Sequence, residues 1–150
     1  MLYRERPANF SSEKAGAICF LEWNGTFLLM KRAHSSYQGG LWTAAPGGKL
    51  EPGESPLEGV IREIREETGI CRSAEQIEFI QTVYYQFADI EYALHLFYSH
   101  MTEKPTVNLE AKEHTEYAWE TLQQALMRPI MRGGNECIEL VLEWINSKSL

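Results

Sequence analysis

Cysteine is scarce in this chain, and the three that occur do not form a pattern. Cys19, Cys71 and Cys137 make an odd number, with none of the spacings that hold a metal. A disulfide framework and a cysteine zinc site are both excluded, and free thiols in a reducing cytoplasm are the expectation. No apolar run approaches the ~18 residues that a membrane span requires. The opening residues MLYRERPANF carry charges and Pro7 but no apolar core of a signal peptide. Positive charge is also in short supply, with 14 Lys and Arg against 21 Asp and Glu and a net charge of −7. Long nucleic acids and anionic membranes are therefore poor partners for the surface as a whole. A small polyphosphate remains compatible with that charge if metal ions bridge the two sets of negative groups. There is no internal repeat and no low-complexity tract.

What is present suits one globular domain spanning residues 1–150. Hydrophobic residues make up 44% of the chain and aromatic residues 11%, enough for a sizeable core at this length. Residues 1–14 read as a loosely held lead-in. A β-hairpin follows, from Ala15 to Trp23 and from Thr26 to Lys31, around Asn24-Gly25. Asn-Gly between apolar runs is the favoured type I′ turn. The near-continuous apolar arm AGAICFL predicts a central strand. Arg32 to Ala45 reads as a loop with His34, Tyr37 and Trp42 as substrate-facing candidates, although Trp42 fits a core position as well. Gln76–Phe87 and Ile90–Met101 read as two long strands about Ala88-Asp89. Thr102–Thr115 predicts an exposed loop, Glu116–Trp119 a short strand, and Glu120–Met127 a short helix ended by Pro129. A last amphipathic helix carries Ile138, Val141, Leu142 and Ile145, with Asn135 as its N-cap. Strands on both sides of a helix, with a second helix at the end, indicate an α/β fold with a mixed β-sheet between helical layers. The histidines, His34, His95, His100 and His114, have no ligand spacing and read as surface or hydrogen-bonded residues.

The most informative stretch is Gly48–Ile70, GKLEPGESPLEGVIREIREETGI. Its second half is a helix with well-marked ends. Ser55 is a good N-cap, Pro56 suits the first helical position, Glu58 completes a capping box, and Gly69 stands where a left-handed C-cap is wanted. Leu57, Val60, Ile61 and Ile64 share a core-facing arc. Glu63, Glu66 and Glu67 share a neighbouring arc, being related by i, i+3 and i+4. Like charges so placed repel one another. The patch reads either as a solvated acidic face or as a grip for a hard divalent cation, which favours carboxylate oxygens.

The spacing around the helix decides between them. Gly48, Glu54, Arg62, Glu63, Ile64, Glu66, Glu67, Gly69 and Ile70 fit G-x5-E-x7-R-E-U-x-E-E-x-G-U, with U aliphatic. This is the Nudix box, and the chain resembles a Nudix hydrolase at every fixed position. With seven invariant positions at ~6% usage each, chance agreement is on the order of 10⁻⁹ per window. The resemblance implies the Nudix fold, a three-layer α/β/α sandwich around a mixed sheet, and cleavage of a nucleoside diphosphate linked to another moiety with Mg²⁺ or Mn²⁺. Carried over by position, Glu66 and Glu67 are metal ligands, and Glu63 is a ligand or the base acting on water. The backbone carbonyl of Gly47 adds an oxygen ligand. Arg62 orients a neighbouring carboxylate or forms a structural salt bridge with Glu54. A further glutamate from beyond the box is expected as a metal ligand, with Glu113 first and Glu110 and Glu116 behind it.

Outside the box the chain most resembles the MutT-type nucleoside triphosphate pyrophosphohydrolases. Arg32, after Lys31, ends the first hairpin where those enzymes carry a basic residue facing substrate. Asp89, in Phe87-Ala88-Asp89, occupies the turn where they have Phe-Pro-Asp. Asn135, before Glu136, matches an Asn that reads a purine edge, a task for which an amide offers both a donor and an acceptor. Arg32 also reads as a solvated strand end, and Asn135 as a helix cap only. The expected partner is a small nucleotide, with no long nucleic acid and no membrane, for a cytoplasmic monomer or homodimer. Other substrates the family allows are dinucleoside polyphosphates, nucleotide sugars and ADP-ribose. A non-catalytic nucleotide-sensing module is the remaining alternative, disfavoured by the complete set of box glutamates.

Overall fold

The apolar arm AGAICFL becomes the strand on which the molecule is built. The computed structural model describes residues 1–148. Strand β2 (Ala15–Trp23) turns at Asn24-Gly25 into β3 (Thr26–Arg32). Both turn residues have positive φ, 52° and 77°, as a type I′ turn demands. Along β2, Ala17, Cys19 and Leu21 pack to one side of the sheet, while Ile18 and Phe20 pack to the other. Burial on both faces explains why its sequence does not alternate.

Two long strands, β6 (Glu78–Gln86) and β7 (Glu91–Met101), form the second hairpin, and β7 lies parallel to β2 from Ala15↔Ala93 to Trp23↔Met101. Short strands complete the mixed sheet: β1 (Leu2–Tyr3) on β6, β4 (Trp42–Thr43) on β3, and β5 (Gly47–Lys49) on β2. Strand β8 (His114–Glu120) pairs with β3. Helix α1 (Pro56–Thr68) covers one face through Val60 and Ile64. Helices α2 (Leu122–Ala125) and α3 (Gly134–Lys148) cover the other, chiefly through Leu122, Ile138 and Val141. The result is the α/β/α sandwich expected. Among the described residues, no helix is long and apolar enough to cross a membrane.

Three local expectations need correction. The lead-in is not loose: Leu2 and Tyr3 pair with Tyr85 and Tyr84, and buried Phe10 meets the edge of the Tyr84 ring at 5.1 Å. Asn135 is not the cap of α3, because the helix starts one residue earlier at Gly134. The segment after β7 is not simply exposed. Val107 and Leu109 pack against the core, and the amides of Asn108 and Glu110 donate to the carbonyls of Thr68 and Glu67. Those carbonyls end α1 and lack intrahelical partners, so the segment satisfies them.

One splay in the sheet creates the functional cleft. Strands β2 and β3 stay paired only at Glu22↔Phe27 and Trp23↔Thr26, next to the turn. Farther along, β5 takes the edge of β2 at Gly16–Ile18, while β3 turns to β4 and β8. The insertion demands small residues. A Cβ on Gly47 would stand 2.1 Å from the Ala17 carbonyl oxygen, and one on Gly48 would stand 2.9 Å from Glu63 Oε1.

Helix α1 is held at both ends as its sequence predicts. Ser55 and Glu58 form the reciprocal capping box, and Gly69 closes the helix at φ 76° with its N–H on the Arg65 carbonyl. Gly69→Ala places a Cβ in the left-handed region, at a cost of about 1–2 kcal/mol. For a chain of this size that lowers Tm by roughly 2–8 °C, measurable by calorimetry. An unchanged Tm would show that the cap contributes nothing.

Candidate active site

The two glycines of β5 and the acidic arc of α1 meet at the splay. Glu67 is only 3% exposed. Its Oε1 accepts the Gly47 N–H at 3.2 Å, which ties α1 to β5. Burial pushes the Glu67 carboxyl well above the usual range, and Glu63 adds to this by hydrogen bonding and charge, as does the charge of Glu113. Glu63 lies just outside that buried position, and Glu66 is more than half exposed.

Arg62 contacts carboxylates on two sides. Its Nε and one Nη donate to the two oxygens of Glu54 at 2.7 and 2.9 Å, in the bidentate geometry that a guanidinium favours. The other Nη donates to Glu63 and Glu66, each at 3.0 Å. The Arg62 hydrogen bonds to Glu54, with the Glu51 N–H also donating to it, lower the Glu54 carboxyl to about 2. One guanidinium thus faces the carboxylates of Glu51, Glu54, Glu63 and Glu66. Glu113 and the Glu67 carboxyl, whose ionisation burial opposes, stand beside this group. The charge deficit and the oxygen-rich donor set fit a hard divalent cation.

The loop before β8 brings the remaining groups. A tight turn, with the Glu113 and His114 amides on the Glu110 carbonyl, presents Glu113 beside Glu67. Ligand atoms of Glu67, Glu113 and His114 all lie within 4.8 Å of one another. The alternatives to Glu113 point elsewhere: Glu110 accepts from the Lys112 N–H, and Glu116 pairs with Lys31 at 3.3 Å.

His114 is the residue that the sequence reading missed. It is neither a surface nor a hydrogen-bonded histidine: it is 2% exposed, and neither ring nitrogen has a partner among the described residues. Its Nδ1 stands 3.8 Å from Glu67 Oε2. Burial, reinforced by the Arg32 guanidinium, pushes the imidazole down to about 4, so it is neutral at pH 7. The dipeptide Glu113-His114 ahead of a strand was the available signal, but nothing local in the sequence says that the ring turns inward.

A cavity of about 590 Å³ connects this cluster to an aromatic region. That size suits a nucleotide-sized ligand. Gly47, Glu67 and His114 line it, as do Arg32, Tyr37, Tyr92 and Arg132. Arg132 stacks over the Phe87 ring at 4.2 Å and bonds both the Tyr37 hydroxyl, at 2.9 Å, and Asp89, at 3.1 Å. Of the residues expected at substrate, Arg32 lines the cavity, with its Nε on the Tyr37 carbonyl. Asp89 and Asn135 do not line it. Asp89 instead holds Arg132, and Asn135 is exposed on the first turn of α3. Trp42 is a core residue, 7% exposed with Arg128 stacked on it at 4.0 Å.

The chain is similar to several known proteins. The family model described as NUDIX domain matches residues 13–140. The CTP pyrophosphohydrolase of Escherichia coli (strain K12) is 33% identical over 112 residues, covering 73% of this chain and 77% of that protein. The 8-oxo-dGTP diphosphatase of Proteus vulgaris is 36% identical over 83 residues, covering 55% of this chain and 70% of that one. The crystal structure of a MutT NUDIX hydrolase from Burkholderia pseudomallei superposes with a TM-score of 0.73 at 26% identity. It covers 85% of this chain and 97% of that one.

Proposed function

Because the chain belongs to the NUDIX domain family, a hydrolase acting on nucleotide pyrophosphate bonds, we propose that its substrate is a nucleoside triphosphate, released as the monophosphate and pyrophosphate. The observation that carries this reading is one cavity lined at one end by Gly47, Glu67 and His114 of the acidic cluster and at the other by Tyr37, Tyr92 and Arg132. It offers a place for charge-compensated phosphates and an aromatic, hydrogen-bonding place for a base. The Escherichia coli and Proteus vulgaris relatives, a CTP pyrophosphohydrolase and an 8-oxo-dGTP diphosphatase, support the same substrate class.

Glu63, Glu66, Glu67, Glu113 and the Gly47 carbonyl are the groups that would hold Mg²⁺, with Mn²⁺ as an alternative. The divalent ion would supply neutralisation of the non-bridging phosphate oxygens and activation of the attacking water. The rest is done by the chain. Arg62 fixes the Glu63 and Glu66 carboxylates, so little reorganisation is needed when charge develops. One carboxylate of the set takes the proton from water. Arg32 faces the cavity as a basic group for the phosphates. Arg132, held by Asp89 and Tyr37, positions the nucleoside.

Assay of nucleoside triphosphates, capped dinucleotides and nucleotide sugars with Mg²⁺ and Mn²⁺ tests the substrate. Pyrophosphate release from a triphosphate, at least ~10-fold faster than turnover of the others, is expected. Two nucleotides from a dinucleotide, or a sugar phosphate, as the preferred products would overturn it. At the base end, Arg132→Ala is expected to raise KM about 10-fold, the loss of one charge-assisted hydrogen bond. Asn135→Ala should stay within about 2-fold of the unmodified protein. The reverse ranking would restore Asn135 as the base-reading residue.

A further inference from the structure

We propose that His114 supplies a nitrogen ligand to a divalent-cation position completed by Glu67 and Glu113, which gives that position a preference for first-row transition ions over Mg²⁺. The inference rests on the reading of the acidic cluster as a cation centre. It goes further by assigning a nitrogen donor to a set otherwise made of oxygens.

Two observations carry it independently. The first is the state of the imidazole. A buried polar ring normally finds a partner, because leaving its nitrogens unsatisfied forfeits the hydration they had in the unfolded chain. His114 is 2% exposed with both nitrogens unpartnered, yet it lines the cavity beside Glu67. An apolar side chain would fill the same space without that penalty. The second observation is spacing. Nδ1 and Glu67 Oε2 are 3.8 Å apart, too far for a hydrogen bond. Two atoms that far apart can both reach one cation, since the separation is within the ~4.2 Å span of two bonds of ~2.1 Å. Glu113 lies within the same 4.8 Å cluster. Neighbouring positions in the chain, Glu113 and His114, therefore present an oxygen and a nitrogen to one point.

The donor set decides the metal. Mg²⁺ takes oxygen ligands and retains its waters, whereas imidazole suits first-row transition ions. A position with one imidazole and two carboxylates should bind Mn²⁺ or Co²⁺ more tightly than an all-carboxylate position, relative to Mg²⁺.

Pulsed electron paramagnetic resonance of Mn²⁺ bound to the 150-residue chain reads this without turnover. The expected result is ¹⁴N modulation from a directly bound imidazole, converted to the ¹⁵N pattern by ¹⁵N-histidine labelling. His114→Gln should abolish the modulation and weaken Mn²⁺ at least ~10-fold by titration calorimetry, with Mg²⁺ affinity changed far less. If that variant does not fold, the labelled unmodified protein decides alone. Mn²⁺ that binds, is weakened by Glu67→Gln and shows no ¹⁴N coupling overturns the nitrogen ligand and leaves the cation centre standing. Coupling that persists in His114→Gln also overturns it. Mn²⁺ binding that is absent, or indifferent to Glu67→Gln, defeats the cation centre together with the inference.

Discussion

Glu67→Gln is expected to lower kcat at least ~10²-fold at saturating Mg²⁺ while leaving the protein folded, as the loss of a proposed metal ligand requires. The change keeps shape, and it leaves an oxygen able to accept the Gly47 N–H. What disappears is one negative charge at a site 3% exposed. That charge is unfavourable for the free protein, because burial, Glu63 and Glu113 all oppose ionisation of Glu67. The variant should therefore melt at the same temperature as the unmodified protein or higher. A rise in Tm combined with a collapse of kcat would mark a residue kept for chemistry at a cost in stability. Turnover near the original rate would defeat the assignment of Glu67.

Arg62→Met should have the second-largest effect, and a different signature. Arg62 lines no part of the cavity, so its loss should act through the carboxylates it holds. The concentration of Mg²⁺ needed for half-maximal rate is expected to rise about 10–100-fold, the usual penalty for losing a group that orients a ligand. Saturating metal should restore part of kcat, and KM for nucleotide should change little. Arg62→Lys should recover only a fraction, since an ammonium cannot span Glu54 bidentately while also reaching Glu63 and Glu66. A large change in KM with an unaltered metal requirement would contradict the positioning role.

The parts of this molecule legible in the sequence are those decided over short distances. The ends of α1 depend on Ser55, Pro56, Glu58 and Gly69, all within the helix or next to it. The hairpin between β2 and β3 depends on Asn24-Gly25 alone. The acidic arc of α1 follows from helical spacing. By contrast, the inward turn of His114 depends on β8 pairing with β3 and on the loop docking at the carbonyls that end α1. No local pattern encodes that. Arg132 likewise becomes part of the cavity only because Asp89 and Tyr37, from two distant segments, converge on it. The cap of α3 was misplaced by two residues for a simpler reason: Gly133, Gly134 and Asn135 are all plausible helix starts.

The parallel pairing of β2 with β7 also bears on synthesis at the ribosome. Ala15 finds its partner only when Ala93 emerges, 78 residues later. At ~5–20 residues per second the apolar β2–β3 hairpin waits about 4–16 s with one edge open. Such non-local topology folds slowly and exposes a template for wrong association in the meantime. Yield of native protein should therefore respond to growth temperature and translation speed more than to any single residue of the cleft.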